Sequence, residues 1–512
     1  MRLEKNEFTQ VPGTNLVRLD EIATMPVDDF EQVIVDGVAD GKRVVSMFGA
    51  GQGTEDKIAV YAVLADDRRS RLCVGRTEMA DGAYPSLTPR CQQVHLFERE
   101  LAEQFGIVPE GHPWFKPVRY QHSWTGRDAW GRSATETILP GVGDFYRVEG
   151  EQVHEVAVGP IHAGIIEPGH FRFQCHGEQV FHLEIALGYQ HRGIERALSG
   201  GPDSRSLHYA ETLAGDSTIA HASAYTQVVE SLTGRKKNAP AQVISAIMLE
   251  LERLANHVGD LGALSGDVGY LPTASFCGRI RGDFLNMTAL LCGNRFGRGI
   301  VLPGGLGFDM DAARQKELLR RLAVSEKETT IAIDLLWETQ SVMARFEGTG
   351  KLPKAVAQEL GMVGPAARAS GLSRDARYYQ PSGIYRLAQI PVSTYDTGDV
   401  FARAYVRWME VQRSITFIRE QVQSLPAGSP VVTGVPGQLA ADSLAVSLVE
   451  GWRGELCHVA LTDANGRFSR YKVVDPSFHN WFGLAYAMRD QEISDFPVCN
   501  KSFNLSYCGH DL

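Results

Sequence analysis

The sequence contains no C-x-x-C pair, although it has 8 cysteines among its 512 residues. It therefore lacks the grouped thiols that normally hold structural zinc or an iron–sulfur cluster. Its first residues, MRLEKNEFTQVPGTN, include no apolar segment that would act as a secretion signal. Without such a signal, isolated cysteines are expected to stay reduced and mostly buried.

Long apolar runs and excess positive charge are also missing. No stretch of about 18 apolar residues occurs, so we expect no membrane-spanning helix, and membrane contact would come through partner subunits. The net charge is −10 and the isoelectric point is near 5.9. Because phosphate binding needs a basic face, this composition argues against a nucleic-acid partner.

The predicted fold class is α+β, with a small α+β domain over residues 1–125. DDFEQVIVDGVADG has the apolar spacing of a short amphipathic helix, and RVVSMF and KIAVYAVLAD are typical of strands. The intervening GAGQGTED precedes a strand, whereas a dinucleotide-binding loop precedes a helix, which favours a hairpin loop. A second helix is predicted to start at Thr88-Pro89. Its charged residues are expected to face solvent or, alternatively, to dock against a neighbour: Glu98, Arg99, Glu100 and Glu103.

Residues 126–154 are Gly-rich and are interpreted as a linker to a larger, mainly helical domain over residues 155–512. Three long amphipathic segments predict a helix-bundle core with small sheets at its periphery. The first, VISAIMLELERLANHVGDLGAL, carries an apolar stripe of Ile247, Leu251, Leu254, Val258 and Leu261. The second, AARQKELLRRLAVSEKETTIAIDLLWETQSVMARFE, extends over more than thirty residues. The third, YDTGDVFARAYVRWMEVQRSITFIREQVQSL, is expected to begin with a cap at Asp396 or Thr397. GELCHVALTDANGRFSRYKVV predicts two strands joined by a turn at ANG.

Residues 159–230 concentrate titratable groups in an apolar background. Glu167 lies in IIEPGH, where a carboxyl group among apolar residues suits proton relay, although an exposed turn acid before Pro168 is the simpler alternative. Arg192 and Glu195 have the spacing of an ion pair on a helix surface. Five histidines of the segment are candidate metal ligands by residue type but lack metal-binding spacing, so structural roles are favoured for them: His162, His170, His182, His191 and His221.

Several motifs together resemble one family. They are GPIHAGIIEPGHFRF, GYQHRGIERAL, AETLAGDSTIAHASAYTQVVE, GNRFGRGIVLPGG, GMVGPAARASG, EGWRGELCH and DFPVCNKSFNLSY. In this order they resemble the large subunit of membrane-bound energy-converting nickel–iron hydrogenases and the quinone-site subunit of respiratory complex I. The N-terminal YPSLTP, HLFERELAEQFGI and GHP resemble the smaller complex I subunit that is fused ahead of the large subunit in formate hydrogenlyase.

The departures from this family concern its metal ligands. In the hydrogenases two C-x-x-C pairs hold the nickel–iron centre, and the aligned positions here are Ala214, Ser217, Ser506 and Gly509. Soft thiolates are the ligands that hold such a metal, so the resemblance implies a form without a nickel–iron centre. The resemblance also implies a change in the complex I quinone-headgroup pair, because its His and Tyr align near Pro168 and at Gly215.

Three residues keep the family's pattern. Glu167 matches the proton-relay glutamate beside the metal site, and His221 and Arg453 match positions that line the cavity. The resemblance therefore implies that these three residues carry the site, with no cofactor bound by this chain.

By the same resemblance, the chain is expected to be a peripheral subunit on the cytoplasmic face of a membrane-associated oxidoreductase that couples electron transfer to proton or cation movement. The implied partners are a small subunit carrying an iron–sulfur cluster and antiporter-like membrane subunits, with a quinone as the leading acceptor. Two alternatives are an active formate hydrogenlyase-type hydrogenase and a non-catalytic assembly or coupling subunit. A cavity filled by side chains such as Phe503 and Tyr507 would favour the second.

Overall fold

A computed structural model describes residues 7–13, 15–51, 57–79, 82–162, 166–426 and 437–512. The N-terminal part is rich in strands, and the rest is mainly helical with small sheets, which confirms the α+β class. The N-terminal elements are β1 (Thr9–Val11), β2 (Leu16–Arg18), β3 (Thr24–Met25), α1 (Val27–Ala39), β4 (Arg43–Ala50), β5 (Ile58–Asp66), β6 (Arg71–Met79), β7 (Ala83–Pro85), α2 (His95–Phe105) and β8 (Val108–Glu110).

The larger part contains four groups of elements in chain order. They are β9 (Val153–Val158), β10 (His170–His176), β11 (Gln179–Ala186), α3 (Ile194–Leu198), α4 (Ser206–Glu211) and α5 (Thr218–Thr233); then α6 (Ala239–Asp267), α7 (Leu271–Cys292), β12 (Val301–Leu302), β13 (Gly305–Leu306) and α8 (Ala312–Trp337); then α9 (Gln340–Phe346), α10 (Lys354–Glu359), α11 (Gly364–Ala369), α12 (Ala376–Tyr379) and α13 (Val400–Ser424); and finally β14 (Ser443–Gly451), β15 (Gly454–Thr462), β16 (Phe468–Val474), α14 (Pro476–Ala487), α15 (Phe496–Phe503) and α16 (Tyr507–Asp511).

The main N-terminal sheet has the order β1-β6-β5-β4, and β3 pairs with β6. Strands β4 and β5 are the two that the sequence predicts, and they pair antiparallel. Most of the loop between them, residues 52–56, lies outside the described residues. The antiparallel pairing itself fits a hairpin, since a dinucleotide-binding loop would be followed by a helix.

Helix α2 corrects two predictions. It begins at His95, because Thr88 and the residues after it form a turn and a short 3-10 segment instead. Its charged residues do not face solvent: Glu98, Arg99, Glu100 and Glu103 are all at most 7% exposed. The reason is that the rest of the chain covers the helix and supplies a hydrogen-bond partner to each of these charged groups.

Glu100 belongs to a group of buried ion pairs that join distant parts of the sequence. The Glu100 carboxylate accepts hydrogen bonds from the Lys472 ammonium at 2.6 Å and is also bonded to Arg119. Lys472 lies 2.9 Å from Glu195, which Arg470 also contacts at 2.9 Å. Glu195 is therefore buried, and the predicted surface pair with Arg192 is wrong.

The N-terminal part shares its core with the C-terminal sheet. Strand β2 completes the sheet β16-β15-β14-β2, and apolar side chains of β4 to β6 cluster with those of β14 and β15. Residues 111–152, which include most of the predicted linker, contain neither helix nor strand. The domain boundaries at 125 and 155 stay a prediction.

Four long helices, α6, α7, α8 and α13, build the helical core. The predicted apolar stripe of α6 is fully buried: Ile247, Leu251, Leu254, Val258 and Leu261 are each 0% exposed. The sequence analysis missed α7. The second predicted helix is shorter than expected, since α8 ends at Trp337 and α9 follows an extended Thr339. Helix α13 is capped by Asp399, not by Asp396 or Thr397.

The predicted strands near residue 455 are confirmed as β15 and β16, which pair antiparallel. Within the part of the chain that the structure describes, none of the helices combines the length and the apolar character needed to cross a bilayer.

Replacing Lys472 with Met should destabilise the fold by about 3 kcal/mol, because the change removes the ammonium that Glu100 and Glu195 share in the buried core. Each glutamate keeps an arginine partner, which places the expected cost at the lower end of the range for broken buried pairs. The measurement is the free energy of unfolding in urea.

Arg320→Met is the matched control, since Arg320 is exposed and its ion-pair partner among the described residues is Glu317 on the same helix. It should leave the free energy of unfolding almost unchanged. Equal effects of the two substitutions would contradict the role given to Lys472.

Candidate functional site

Glu167 and the C-terminal end of the chain lie together. Glu167 is in the connection between β9 and β10, and Cys508 is in α16. Burial and then the Glu167 carboxylate, through its charge and a hydrogen bond, raise the pKa of the Cys508 thiol to about 12. Cys508 therefore stays protonated at neutral pH. The half-buried Glu167 remains in partial contact with solvent, as a group that exchanges protons must.

Arg453 forms the opposite part of the site, in the turn between β14 and β15. Its guanidinium makes two bonds to the Asp216 carboxylate, of 2.6 and 2.7 Å, and a third to the carbonyl of Asn504 at 2.6 Å. It also stacks on the Trp452 ring, 3.9 Å from the ring centroid. These contacts fix a buried cation between the start of α5 and the C-terminal segment.

His221 is fully buried in α5 and connects two further groups. Its Nδ1 lies 3.1 Å from His458 Nε2, and its Nε2 lies 3.3 Å from the Asp475 carboxylate. His458 Nδ1 lies 2.9 Å from the hydroxyl of Tyr471. In the contact between His221 and His458, one ring nitrogen must donate a hydrogen bond and the other must accept it. This series of hydrogen bonds therefore orders the two imidazole rings.

Burial, and then the neighbouring His221, lower the pKa of His458 well below its usual 6.5. Asp475 caps α14 by accepting the Ser477 N–H at 2.8 Å. Although burial opposes the change, the His221 hydrogen bond and charge lower the pKa of Asp475. The result is a neutral His458 beside an ionised Asp475.

The four positions aligned with metal ligands are buried at the same place. Ser217 immediately precedes the first residue of α5, and Ala214 lies three residues before Ser217. Ser506 caps α16 by accepting the Gly509 N–H at 2.9 Å. A Cβ atom built on Gly509 would lie 2.6 Å from the carboxyl carbon of Asp475, so a longer side chain cannot enter without displacing that group.

These residues do not fit a nickel–iron centre. Ala214 and Gly509 offer no side-chain donor, and the hydroxyl of Ser506 already caps a helix. Ser217 Oγ lies 3.5 Å from the Arg453 guanidinium, a cation that disfavours a metal ion at that point. Among the described residues, the thiol of Cys508 contacts Ser506, whereas such a metal needs several soft thiolates.

The predicted site residues are brought together in part. Glu167 is hydrogen-bonded to Cys508, and Arg453 is bonded to Asp216. His221 contacts Asp475, whose carboxyl group lies against Gly509. Sequence reasoning missed Asp216, His458 and Asp475. Only Asp475 carried a local signal, an acidic cap followed by proline at a helix start.

Three other histidines of the segment have separate structural contacts. His162 lies 3.0 Å from the carbonyl of Gly169, and His191 lies 2.8 Å from that of Asp511. His170 contacts the carbonyl of Gly159 at 3.1 Å. Among the described residues, no group of three or more histidine, cysteine, aspartate or glutamate side chains is arranged to hold a metal ion.

Known proteins match both parts of the chain. The family model of the respiratory-chain NADH dehydrogenase 49 Kd subunit matches residues 267–443, and that of the 30 Kd subunit matches residues 27–129. The carbon monoxide-induced hydrogenase of Rhodospirillum rubrum is 30% identical over 352 residues, which cover 69% of this chain and 97% of that protein. The chain belongs to the family of complex I 49-kDa subunits and related hydrogenase subunits.

Two other relatives agree with this assignment. Formate hydrogenlyase subunit 5 of Escherichia coli is 28% identical over 465 residues, or 88% of this chain and 81% of that protein. NADH-quinone oxidoreductase subunit 4 of Thermus thermophilus is 28% identical over 69% of this chain and 92% of its own length. The protein is thus a complex I-like, hydrogenase-related subunit in which 30-kDa-like and 49-kDa-like regions are fused.

The stability of this subunit should depend on His458 in acid. The unfolded imidazole takes up a proton near pH 6.5, whereas the folded one does so only well below that value. The unfolded state then binds more protons, so stability falls as the pH decreases below 6.5. In the native chain, His458 should raise the unfolding constant by up to about tenfold for each unit by which the pH decreases. His458→Gln should lose this contribution, as measured by urea denaturation between pH 7 and 5.

The control is His154→Gln, because His154 is exposed on β9. This variant should keep the pH dependence of the native chain. An unchanged slope in His458→Gln would mean that the buried imidazole is protonated in the folded state.

Proposed function

We propose that this subunit works in a membrane-associated oxidoreductase that couples electron transfer to the movement of protons or cations, without a nickel–iron centre. Family membership supports the setting, and the four residues at the aligned ligand positions support the absence of the metal. The observation that carries the proposal is the position of Glu167, a carboxyl group beside Cys508 where its proton can be exchanged.

The proposed mechanism assigns proton handling to Glu167. An oxidised acceptor such as a quinone takes up one proton for each electron that it receives, so its site needs a group that can give protons and recover them. Glu167 has this capacity and is partly exposed, whereas the Cys508 thiol holds its proton too tightly, with a pKa of about 12.

Arg453 and His221 have fixed electrostatic roles in this scheme. The guanidinium supplies a permanent positive charge that favours the electron-rich form of an acceptor, and Asp216 holds it in place. His221 orders the wall behind Ser506 and Gly509 through its bond to Asp475. Both residues are positioned by contacts from other elements, which favours a preorganised site.

The proposed partners follow from the family. Electrons would arrive from the iron–sulfur cluster of a small subunit packed against the Glu167 connection and the C-terminal segment. Antiporter-like membrane subunits would move the ions, and this chain would sit at the cytoplasmic face without a bound cofactor of its own.

A non-catalytic role is the second candidate, and one observation favours it. Phe503 and Tyr507 are both buried, at 2% and 7% exposure, and Tyr507 packs against Trp481 with ring centroids 5.0 Å apart. These side chains fill space next to the aligned ligand positions.

Glu167→Gln separates the two candidates. The substitution keeps the size of the side chain and its hydrogen bonding but removes the exchangeable proton. In the purified complex, quinone-dependent turnover should fall at least about 100-fold, as for loss of a general acid or base, while all subunits still co-purify.

Glu178→Gln is the control, because Glu178 is an exposed carboxylate in the turn between β10 and β11 of the same sheet. It should leave turnover unchanged. Native turnover in Glu167→Gln would remove Glu167 from the mechanism and favour the non-catalytic role.

A further inference from the structure

A cavity of about 480 Å³ lies where α2 of the N-terminal part meets β11 and α14 of the larger part. The buried residues of its lining are mainly apolar and include Leu96, Leu183 and Trp481. Glu359 and Arg489 also line it but are exposed, which indicates that the cavity opens to solvent at this end. Cavities of roughly 300–1,000 Å³ with mainly apolar walls are typical of small-molecule sites.

One buried charge in this lining has no counter-ion. Arg99 of α2 is 7% exposed, and its Nε and Nη2 donate to the carbonyls of Lys116 and Pro117 at 2.7 and 2.9 Å. Among the described residues, no carboxylate lies within ion-pair distance of this guanidinium, and its Nη1 has no hydrogen-bond partner. Burial lowers the pKa of Arg99 to about 10, so the group stays charged at neutral pH. A buried charge without a counter-ion costs free energy.

The two carboxylates that act on Arg99 through their charge are held by other groups. Glu103 accepts a hydrogen bond from the backbone N–H of Arg119 at 3.0 Å. Glu184 accepts one from the Lys116 ammonium at 2.6 Å, which forms an ion pair within the lining. Both carboxylates favour the charged form of Arg99, but burial outweighs them.

The rest of the lining does not neutralise Arg99. His182 and His510 are neutral at neutral pH, because burial lowers the pKa of each. Glu359 and Arg489 have opposite charges, and both are exposed. The buried part of the lining therefore carries one positive charge in excess.

We propose that this cavity binds a monocarboxylate that carries an apolar chain. The carboxylate accepts a hydrogen bond from Arg99 Nη1 and supplies the counter-ion, and the apolar walls hold the chain. One excess charge and one nitrogen without a partner fit a singly charged headgroup better than a phosphate ester. The site goes beyond the proposed redox role, since it uses neither Glu167 nor Arg453.

The test compares octanoate with octanamide, which has the same chain and a neutral headgroup, by calorimetric titration into the full-length chain. Octanoate should bind about ten- to hundredfold more tightly, which corresponds to one hydrogen bond to a charged group. Arg99→Met keeps most of the side-chain length, removes the charge, and should abolish this preference.

Arg489→Met is the matched control, because Arg489 is an exposed arginine of the same lining. It should keep the native preference for octanoate. Ala485→Trp places a large ring on the lining of the cavity and should abolish binding of both probes.

Acidic phospholipids offer the same chemistry, an anion attached to apolar chains. Vesicles of phosphatidylglycerol should not displace octanoate, because Arg99 lies among buried residues and a headgroup fixed at a bilayer surface cannot reach it. Displacement by these vesicles, but not by vesicles of phosphatidylcholine, would assign the cavity to a membrane lipid and overturn the proposal of a free acid.

Four further results would overturn the proposal. They are the absence of saturable binding of octanoate by the native chain, equal affinities of the native chain for the two probes, a native preference in Arg99→Met, and native affinity in a folded Ala485→Trp. If Arg99→Met does not fold, the native preference between the two probes and the Ala485→Trp variant still decide the outcome.

Discussion

The site depends on one buried carboxylate, that of Asp475. It caps α14 through the Ser477 N–H, receives His221 from α5, and lies directly against Gly509 of the C-terminal turn. A buried charge is stable only when such partners surround it. Three segments distant in sequence are therefore held around a single ionised group, and the absence of a side chain at residue 509 is what lets the last turn approach it.

The contacts of Gly509 and Ser506 are the physical basis of the proposal that this chain holds no nickel–iron centre. Gly509 leaves room for the Asp475 carboxylate, and the hydroxyl of Ser506 closes the turn by capping α16. Near Ser217, a guanidinium held by Asp216 takes the space beside the helix start. The interactions that stabilise these segments are hydrogen bonds and ion pairs within the protein, and they use the groups that would otherwise face a metal.

Much of the fold could be predicted from local patterns. The strands β4, β5, β15 and β16 and the apolar stripe of α6 follow from periodicity, which depends on side chains a few residues apart. The charged residues of α2 show the limit of this reasoning. Glu100 is buried because Lys472 and Arg119 neutralise it, and nothing within the helix indicates partners so distant in sequence.

The candidate site was predictable for the same reason only in part. Glu167, His221 and Arg453 stand in motifs that resemble a family, so their place in the fold could be inferred. Asp216 and His458 act through contacts with Arg453 and His221, and such contacts are visible only once the chain is folded. Helix α7 was missed because its sequence interrupts the apolar pattern with glycine and arginine residues.

The most direct test of the central claim is the nickel content of the intact complex, purified from cells grown with ample nickel and measured by mass spectrometry of the metal. A site built around Asp475, Ser506 and Gly509 predicts no nickel above the level found in an unrelated protein purified in the same way. One tightly bound nickel per chain, retained through dialysis against a chelator, would contradict it.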